Sequence, residues 1–365
     1  MTVLLRQTIR DHLRRARPEN ILDVFQRLHL RFFQVCGLAF GRISFASSRK
    51  QCRTGSWSNS AHSLPVIRGC QAEMNGVEYG LEQEPEGAKE VPSMNEYRVK
   101  PDSQRNLDNR SPDDTGEYKN TDQGKEKAKA VTVQLIDRLG ELQQRLYANG
   151  NRAVLIVLQG MDTSGKDGTI KHVMSGVNPQ GCRVATFKAP SNSELAHDFL
   201  WRVHHEVPAK GQIGIFNRSH YEDVLITRVH KMISAKVEAQ RLNQINEFEE
   251  LLTENGTTIL KFFLHISKNE QKARLEARIR DQEKRWKFSE GDLEERKLWA
   301  DYMKVFEEVL SATSTKHAPW YIVPANRKWY RNLVVADRVV SALEDMKLKT
   351  PPAPAGINFD TLKIV

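Results

Sequence analysis

Cysteine is scarce in this chain: Cys36, Cys52, Cys70 and Cys182 are the only four in 365 residues. Their spacing fits neither a zinc site nor a disulfide framework, which excludes a small disulfide-stapled fold and points to a reducing compartment, the cytoplasm. Long apolar runs are missing too. None approaches the roughly 20 residues that a membrane-crossing helix needs, so no membrane partner is expected. No internal repeat is visible, which sets aside solenoids and arrays. Acidic residues are nearly absent from the first 70 positions, where only Asp11, Glu19 and Asp23 occur.

What is present is ordinary soluble-globular material, 39% hydrophobic and 28% charged, long enough for one large or two ordinary domains. A formal net charge of +9 points to a polyanionic partner. Nucleic acid, a nucleotide, a phosphate polymer and an anionic surface all satisfy that on charge alone. Residues 1–93 differ from the rest. Ile21, Val24, Phe25, Leu28, Phe32 and Val35 recur at helical spacing in an Arg-rich, acid-poor context. A targeting helix, a membrane-surface helix and sequence translated upstream of the true start compete there. The composition changes at Met94, which favours the third. The expected organisation is an extension over 1–93 that is non-native or poorly structured, followed by one catalytic domain over 94–365.

The domain is organised around Leu155–Thr169. A continuous apolar run breaks at Gly160, and Gly165 and Lys166 follow just before a helix-like segment. That is the G-x-x-x-x-G-K phosphate loop in its strand–loop–helix setting. Gly160, Gly165 and Gly168 let the backbone approach an anion, successive N–H groups form a nest, and the helix dipole adds positive potential. Lys166 supplies a point charge for a moving phosphoryl group. One residue type is absent: Asp167 follows Lys166 where the standard loop has the Ser or Thr that binds Mg²⁺. Asp162 is the substitute, as a hard oxygen ligand.

Along the chain, Tyr97–Gln123 reads as a polar extended arm, and Val131, Leu135, Leu139, Leu142 and Leu146 predict a helix over 125–147. After the loop the pattern alternates. Strands are expected at 183–187, 212–216, 258–266 and 319–324, with helices at 193–207 (capped by Ser193), 239–255 and 329–346. Alternation of this kind requires a parallel sheet with helices on both faces, a three-layer α/β sandwich whose ligands bind at the carboxyl ends of the strands. Residues 268–303 break the rhythm. They are helix-forming and rich in cations, with Gly291 dividing two helices, and predict an inserted helical lid that excludes water and adds positive charge.

Phosphoryl transfer needs alignment, metal, and cations over the charge of the transition state. Arg218, directly after the third strand, can clamp a phosphate bidentately. Asp223 is the natural second-strand carboxylate for the metal, and Glu222 beside it suits a metal-bound water or the acceptor. His220 and Tyr221 read as packing groups, and His204 and His205 as structural.

Taken together, Leu158–Asp162, Gly165–Thr169, Gly176–Pro179, Phe216–Val224, Glu283–Lys287 and Ala318–Tyr321 resemble the type-2 polyphosphate kinase family, and the match runs from about Tyr97 to Met346. The form of Asn217–Glu222 resembles the subgroup acting on nucleoside mono- and diphosphates; other subgroups carry Asp at the position of Asn217. The resemblance implies a P-loop kinase fold with a helical lid and Mg²⁺ dependence, with Mn²⁺ admissible. Inorganic polyphosphate and adenine or guanine nucleotides are the implied substrates, in a homo-oligomer without a specific nucleic-acid partner. It further implies that Asp162 and Asp223 hold metal, that Lys166, Arg218, Arg274 and Arg278 hold phosphate, and that Asn217 and Glu222 meet the acceptor. An ATP-dependent nucleotide or small-molecule kinase on the same fold and a non-catalytic polyanion-binding protein stay open beside it.

Overall fold

A computed structural model describes residues 94–101, 103, 107–359 and 361–364. The expectations for residues 1–93 lie outside it. The described chain begins as an arm. Val99 N–H donates to the carbonyl of Trp320, and Arg98 bridges Tyr321 in antiparallel fashion. Helix α1 (Asp122–Asn149) follows, with the Thr121 side chain accepting from Gly124 N–H and Gly150 in the left-handed region closing it. Strand β1 (Ala153–Gln159) is buried along its whole length. The phosphate loop then leads into α2 (Lys166–Val173).

Strand β2 (Cys182–Thr186) comes next. In place of the expected helix over 193–207 there are two short ones, α3 (Asn192–Leu195) and α4 (Trp201–His204). The cap is Ser191, which forms a reciprocal capping box with Glu194, and Ser193 lies inside the helix. Strand β3 (Ile213–Asn217) ends at the candidate site and is followed by α5 (Glu222–Val229), a helix the sequence pattern did not announce. Eight residues are too few for the 3.6-residue period to declare itself.

The remainder runs α6 (Ala235–Glu254), β4 (Thr257–His265), α7 (Lys268–Arg280), α8 (Gly291–Lys297), α9 (Trp299–Thr313), β5 (Trp320–Pro324) and α10 (Lys328–Asp345). The lid differs in detail from expectation. Its first helix stops at Asp281 rather than near Gly291, a 3₁₀ segment over Gln282–Lys287 follows, and Gly291 opens α8. Its far boundary falls before α9, whose Tyr302, Val305 and Phe306 belong to the core.

The five strands are all parallel, in the order β2-β3-β1-β4-β5. Alternate residues of β1 serve the two faces, as the pleat requires. Val154, Ile156 and Leu158 pack with α1 and α10, and Leu155 and Val157 with α5, α6 and α9. Both faces of the inner strands are covered, so β1 reads as a solid apolar run rather than an alternating one, whereas edge strand β2 is largely exposed. Because β1 is central and the chain leaves it first towards β3 and later towards β4, the crevice beyond its carboxyl end lies at a topological switch point. The phosphate loop occupies it. The architecture is the three-layer α/β sandwich of a P-loop kinase.

Candidate active site

The loop is held in a backbone conformation that its sequence permits only in part. Gly165 has φ 105°, and a Cβ on Gly160 would meet the Leu264 carbonyl at 2.8 Å, so glycine is needed at both. Thr163, at φ 65°, is not a glycine and is strained. The Lys166 ammonium donates to the carbonyls of Gly160 (2.7 Å) and Met161 (3.3 Å) and is 8% exposed. Burial lowers its pKa, and the neighbouring Arg218 guanidinium adds to that. Within the loop, Thr163 Oγ1 and Ser164 Oγ are buried without a hydrogen-bond partner among the described residues.

Across the crevice, Arg218 leaves β3 with φ 62°, a second strained non-glycine at the site. That turn brings its guanidinium to Asp162 Oδ1 at 2.6 Å and to Glu222 Oε2 at 3.6 Å. Burial tends to lower its pKa, but Glu222 and Asp162 outweigh that and raise it. The Glu222 carboxyl is pushed up from its ordinary value by burial, against the opposing pull of Arg218 and Lys166. Asp162, Lys166, Arg218 and Glu222 thus form one group of alternating charge at the ends of β1 and β3.

Asp223, expected to hold metal, is paired elsewhere in the structure. Its Oδ2 accepts from Arg202 at 3.0 Å, in a pair whose side chains are 7% and 14% exposed. Arg202 also donates to the Lys188 carbonyl and lies over Phe187. Asp223 therefore ties the β2–α3 segment to α5. Neighbours on a helix point about 100° apart, and here Glu222 turns towards Arg218 while Asp223 turns towards Arg202.

Arg274 is also placed differently. Its Nη1 donates to the carbonyls of Thr163 and Ser164, its Nη2 to those of Ala325 and Asn326, and its Nε to Glu270. It clamps the loop to the segment after β5 and presents no donor to a phosphate. Arg278 pairs with Asp292 Oδ2 at 3.2 Å within the lid. The Asn217 amide donates to Asp167 Oδ1 at 2.9 Å, and Lys287 of the lid meets Asp167 Oδ2 at 3.1 Å. Burial would raise the Asp167 carboxyl, but those two hydrogen bonds lower it. The lid thus reaches the loop helix at Asp167, the residue standing where a Ser or Thr was expected.

Beneath Arg218 and Glu222 lies a buried polar network. Tyr221 donates to Glu249 Oε1 (2.8 Å), and the His220 ring lies 3.3 Å from the same oxygen. Lys261, from the middle of β4, donates to Glu249, to Tyr221 Oη (2.9 Å) and to the Thr313 carbonyl (2.7 Å). All four side chains are fully buried. Burial pushes the Glu249 carboxyl up, but Lys261, with help from His220, outweighs that and leaves it lowered. Lys261 is not among the residues expected at the site; a single cation breaking an apolar strand is the signal that marks it. His220 and Tyr221 are packing groups as expected, and they also anchor the segment that bears Arg218.

The chain is similar to known proteins over most of this domain. The family model described as polyphosphate kinase 2 matches residues 121–351. An AMP/ADP-polyphosphate phosphotransferase of Meiothermus ruber is 51% identical over 258 residues, spanning 71% of this chain and 96% of that one. An ADP-polyphosphate phosphotransferase of Rhodopseudomonas palustris is 49% identical over 228 residues, 59% of this chain and 79% of the relative. The crystal structure of polyphosphate kinase 2 from Arthrobacter aurescens superposes with a TM-score of 0.68 at 44% identity, covering 72% of this chain and 92% of that one.

Proposed function

The chain belongs to the polyphosphate kinase 2 family, and from that premise we propose that it moves a phosphoryl group between inorganic polyphosphate and AMP or ADP. The observation that carries the reading is the group at the ends of β1 and β3. Lys166 and Arg218, two cations, converge with Asp162 and Glu222 on a loop whose buried hydroxyls Thr163 Oγ1 and Ser164 Oγ have no partner among the described residues. The first two relatives are named for polyphosphate phosphotransfer, to AMP/ADP in one and ADP in the other.

The acceptor in this reaction is a phosphate oxygen that is already anionic, so no general base is required. A phosphoanhydride P–O bond of the donor breaks as the acceptor oxygen bonds to the transferred phosphorus, and the electron pair leaves with the shortened chain. The protein's task is alignment and charge compensation. The loop N–H groups and Lys166 hold the transferred phosphoryl group. Arg218, which Asp162 and Glu222 keep charged and oriented, bridges donor and acceptor oxygens. Glu222 limits how much further negative charge the acceptor side accommodates. The lid, meeting Asp167 through Lys287, excludes water, which would otherwise compete as acceptor.

Transfer of this kind draws on a divalent cation, and the residues fit one. Asp162 and Glu222 are hard oxygen donors beside the loop. Among the described residues no three potential ligands cluster, but Mg²⁺ characteristically takes one or two carboxylates and completes its shell with water and phosphate oxygens. Asp162, with Glu222 in place of Asp223, is the pair assigned to hold Mg²⁺ or Mn²⁺. When bound, the ion neutralises charge shared between the two phosphates.

The test is chromatographic. Long-chain polyphosphate should phosphorylate AMP and ADP, with ATP in place of polyphosphate a poor donor to AMP. Transfer from ATP at equal or greater rate would favour a conventional nucleotide kinase.

A further inference from the structure

Arg331, on the first turns of α10, is 2% exposed. Its guanidinium lies against the underside of the phosphate loop. A Cβ on Gly165 would stand 1.9 Å from its Nη1, and one on Gly168 would stand 3.4 Å from its Nη2. Its hydrogen bonds go to neutral oxygens, Ser164 O at 3.4 Å and Asn332 Oδ1 at 3.2 and 2.8 Å. Among the described residues no carboxylate pairs with it. Burial first, and then the charge of another cation, Arg274, push its pKa down to about 9. Lys328, one turn earlier, is likewise lowered by burial and then by Arg274 and Arg331.

A buried charge without a counter-ion is costly to a fold and persists only where something compensates it. The site supplies a candidate on the other side of the loop wall, because glycine at 165 and 168 leaves no side chain between the guanidinium and the nest. We propose that Arg331 is a positioning residue for phosphate binding, whose counter-ion is the phosphoryl group held in the loop. It acts through the backbone of Ser164–Gly168, raising the positive potential of the nest from behind, and needs no direct contact with substrate. The two loop glycines then have a second role beyond their conformation, which is to admit the cation. The inference rests on the reading that this loop holds phosphate.

The test compares Arg331→Met with the unaltered protein, using tripolyphosphate as the probe at fixed ionic strength. Calorimetry gives Kd, and thermal scans with and without the probe give Tm. The unliganded variant should melt at or above the temperature of the unaltered protein, since an uncompensated charge has been removed. Its Kd for tripolyphosphate should rise roughly tenfold or more, the scale of one lost charge-assisted contact, and the rise in Tm caused by the probe should shrink. In turnover, KM for polyphosphate should rise more than kcat falls, because the contribution is to binding. An unchanged Kd beside a lowered unliganded Tm would make Arg331 a purely structural residue. Arg331→Lys and Arg331→Gln supply the second comparison. Lys should bind tripolyphosphate more tightly than Gln, and equal affinities overturn the proposal. Failure of both neutral variants to fold also overturns it, because the unliganded protein is held not to need the charge. If the unaltered protein does not bind tripolyphosphate, the functional reading fails first; if it binds and Arg331→Met binds equally, only this inference fails.

Discussion

Lys166 sits at the crossing of two demands. Burial weakens its hold on a proton, yet its two carbonyl partners and the nearby carboxylates give the ammonium reason to stay. Lys166→Met removes the charge and keeps the aliphatic stem, so the fold should persist with an unchanged Tm. Turnover should fall on the order of 10²- to 10³-fold, the scale of one preorganised electrostatic group; near-normal turnover would remove the loop from the mechanism. Glu222 carries a pH signature. Its carboxyl is raised above the ordinary 4.5 by burial, so it protonates sooner on acidification than a free carboxylate, and kcat/KM should fall as pH drops through that raised value. The stability sign is opposite: between the two values the folded state binds more protons than the unfolded chain, so this group's contribution declines as pH rises through the window. Glu222→Gln should lose the acid limb and flatten that slope, and a limb that persists in the variant would assign it to another group. Asp223 separates from its neighbour on both counts. Asp223→Asn leaves Arg202 buried without its carboxylate and should cost about 3 kcal/mol or more in chemical denaturation, with any loss of turnover following from displaced segments. A stable Asp223→Asn protein whose Mg²⁺ requirement alone has changed would restore the carboxylate to the metal.

At the scale of elements, the strained turn between β3 and α5 is what places Arg218, and it is fixed from below. Its residues His220 and Tyr221 are pinned to Glu249 on α6, and Glu249 is neutralised by Lys261 on β4. A buried pair of this kind contributes little net stability, because desolvation offsets the attraction, whereas breaking it leaves a lone charge. Glu249→Gln should therefore destabilise by about 3–5 kcal/mol. The double replacement Glu249→Leu with Lys261→Met should recover most of that, since neither charge is left alone. Turnover should not recover with it, because the anchor for Tyr221 is still gone. Parallel recovery of stability and kcat would show that the network only holds the core together. The lid is an element of another kind. Its 3₁₀ segment reaches the loop helix through Lys287 and Asp167, between partly exposed groups, and pairs of that sort are worth at most about 1 kcal/mol. A contact so weak suits an outer part of the lid that opens and closes about α7, whose Arg274 stays fastened to the loop carbonyls.

For the whole molecule, the matched region and the described core coincide over 121–351. Among the described residues, helices within 94–345 pack on both faces of the sheet. A chain beginning at Met94 should match the full sequence in specific activity and in Tm; a fall of several degrees would reveal a structural contribution from residues 1–93. Among the described residues no helix is long and apolar enough to cross a membrane.

The sequence by itself determined the sheet, the loop and the family. Apolar runs broken by Gly160, a helix after Lys166 and alternation thereafter are local patterns, and local patterns dictate elements wherever period and punctuation agree. Lys166, Arg218 and Asp162 were legible for the same reason, since each lies at the end of a strand in a parallel sheet, where ligands gather. Tertiary structure decided what adjacency in sequence left open. Glu222 and Asp223 look equivalent until the helix turns one towards Lys166 and the other towards Arg202. Arg274 reads as a free lid cation until four carbonyls claim its donors. Lys261, Glu249 and Arg331 belong to three different elements, and nothing in their local sequence ties the first two to the turn bearing Arg218, more than 30 residues earlier, or Arg331 to a loop more than 160 residues before it. Their roles come from long-range packing, which brings charges together in the dry interior where a missing or present partner carries the largest energy, and such pairings leave no periodic trace in a single chain.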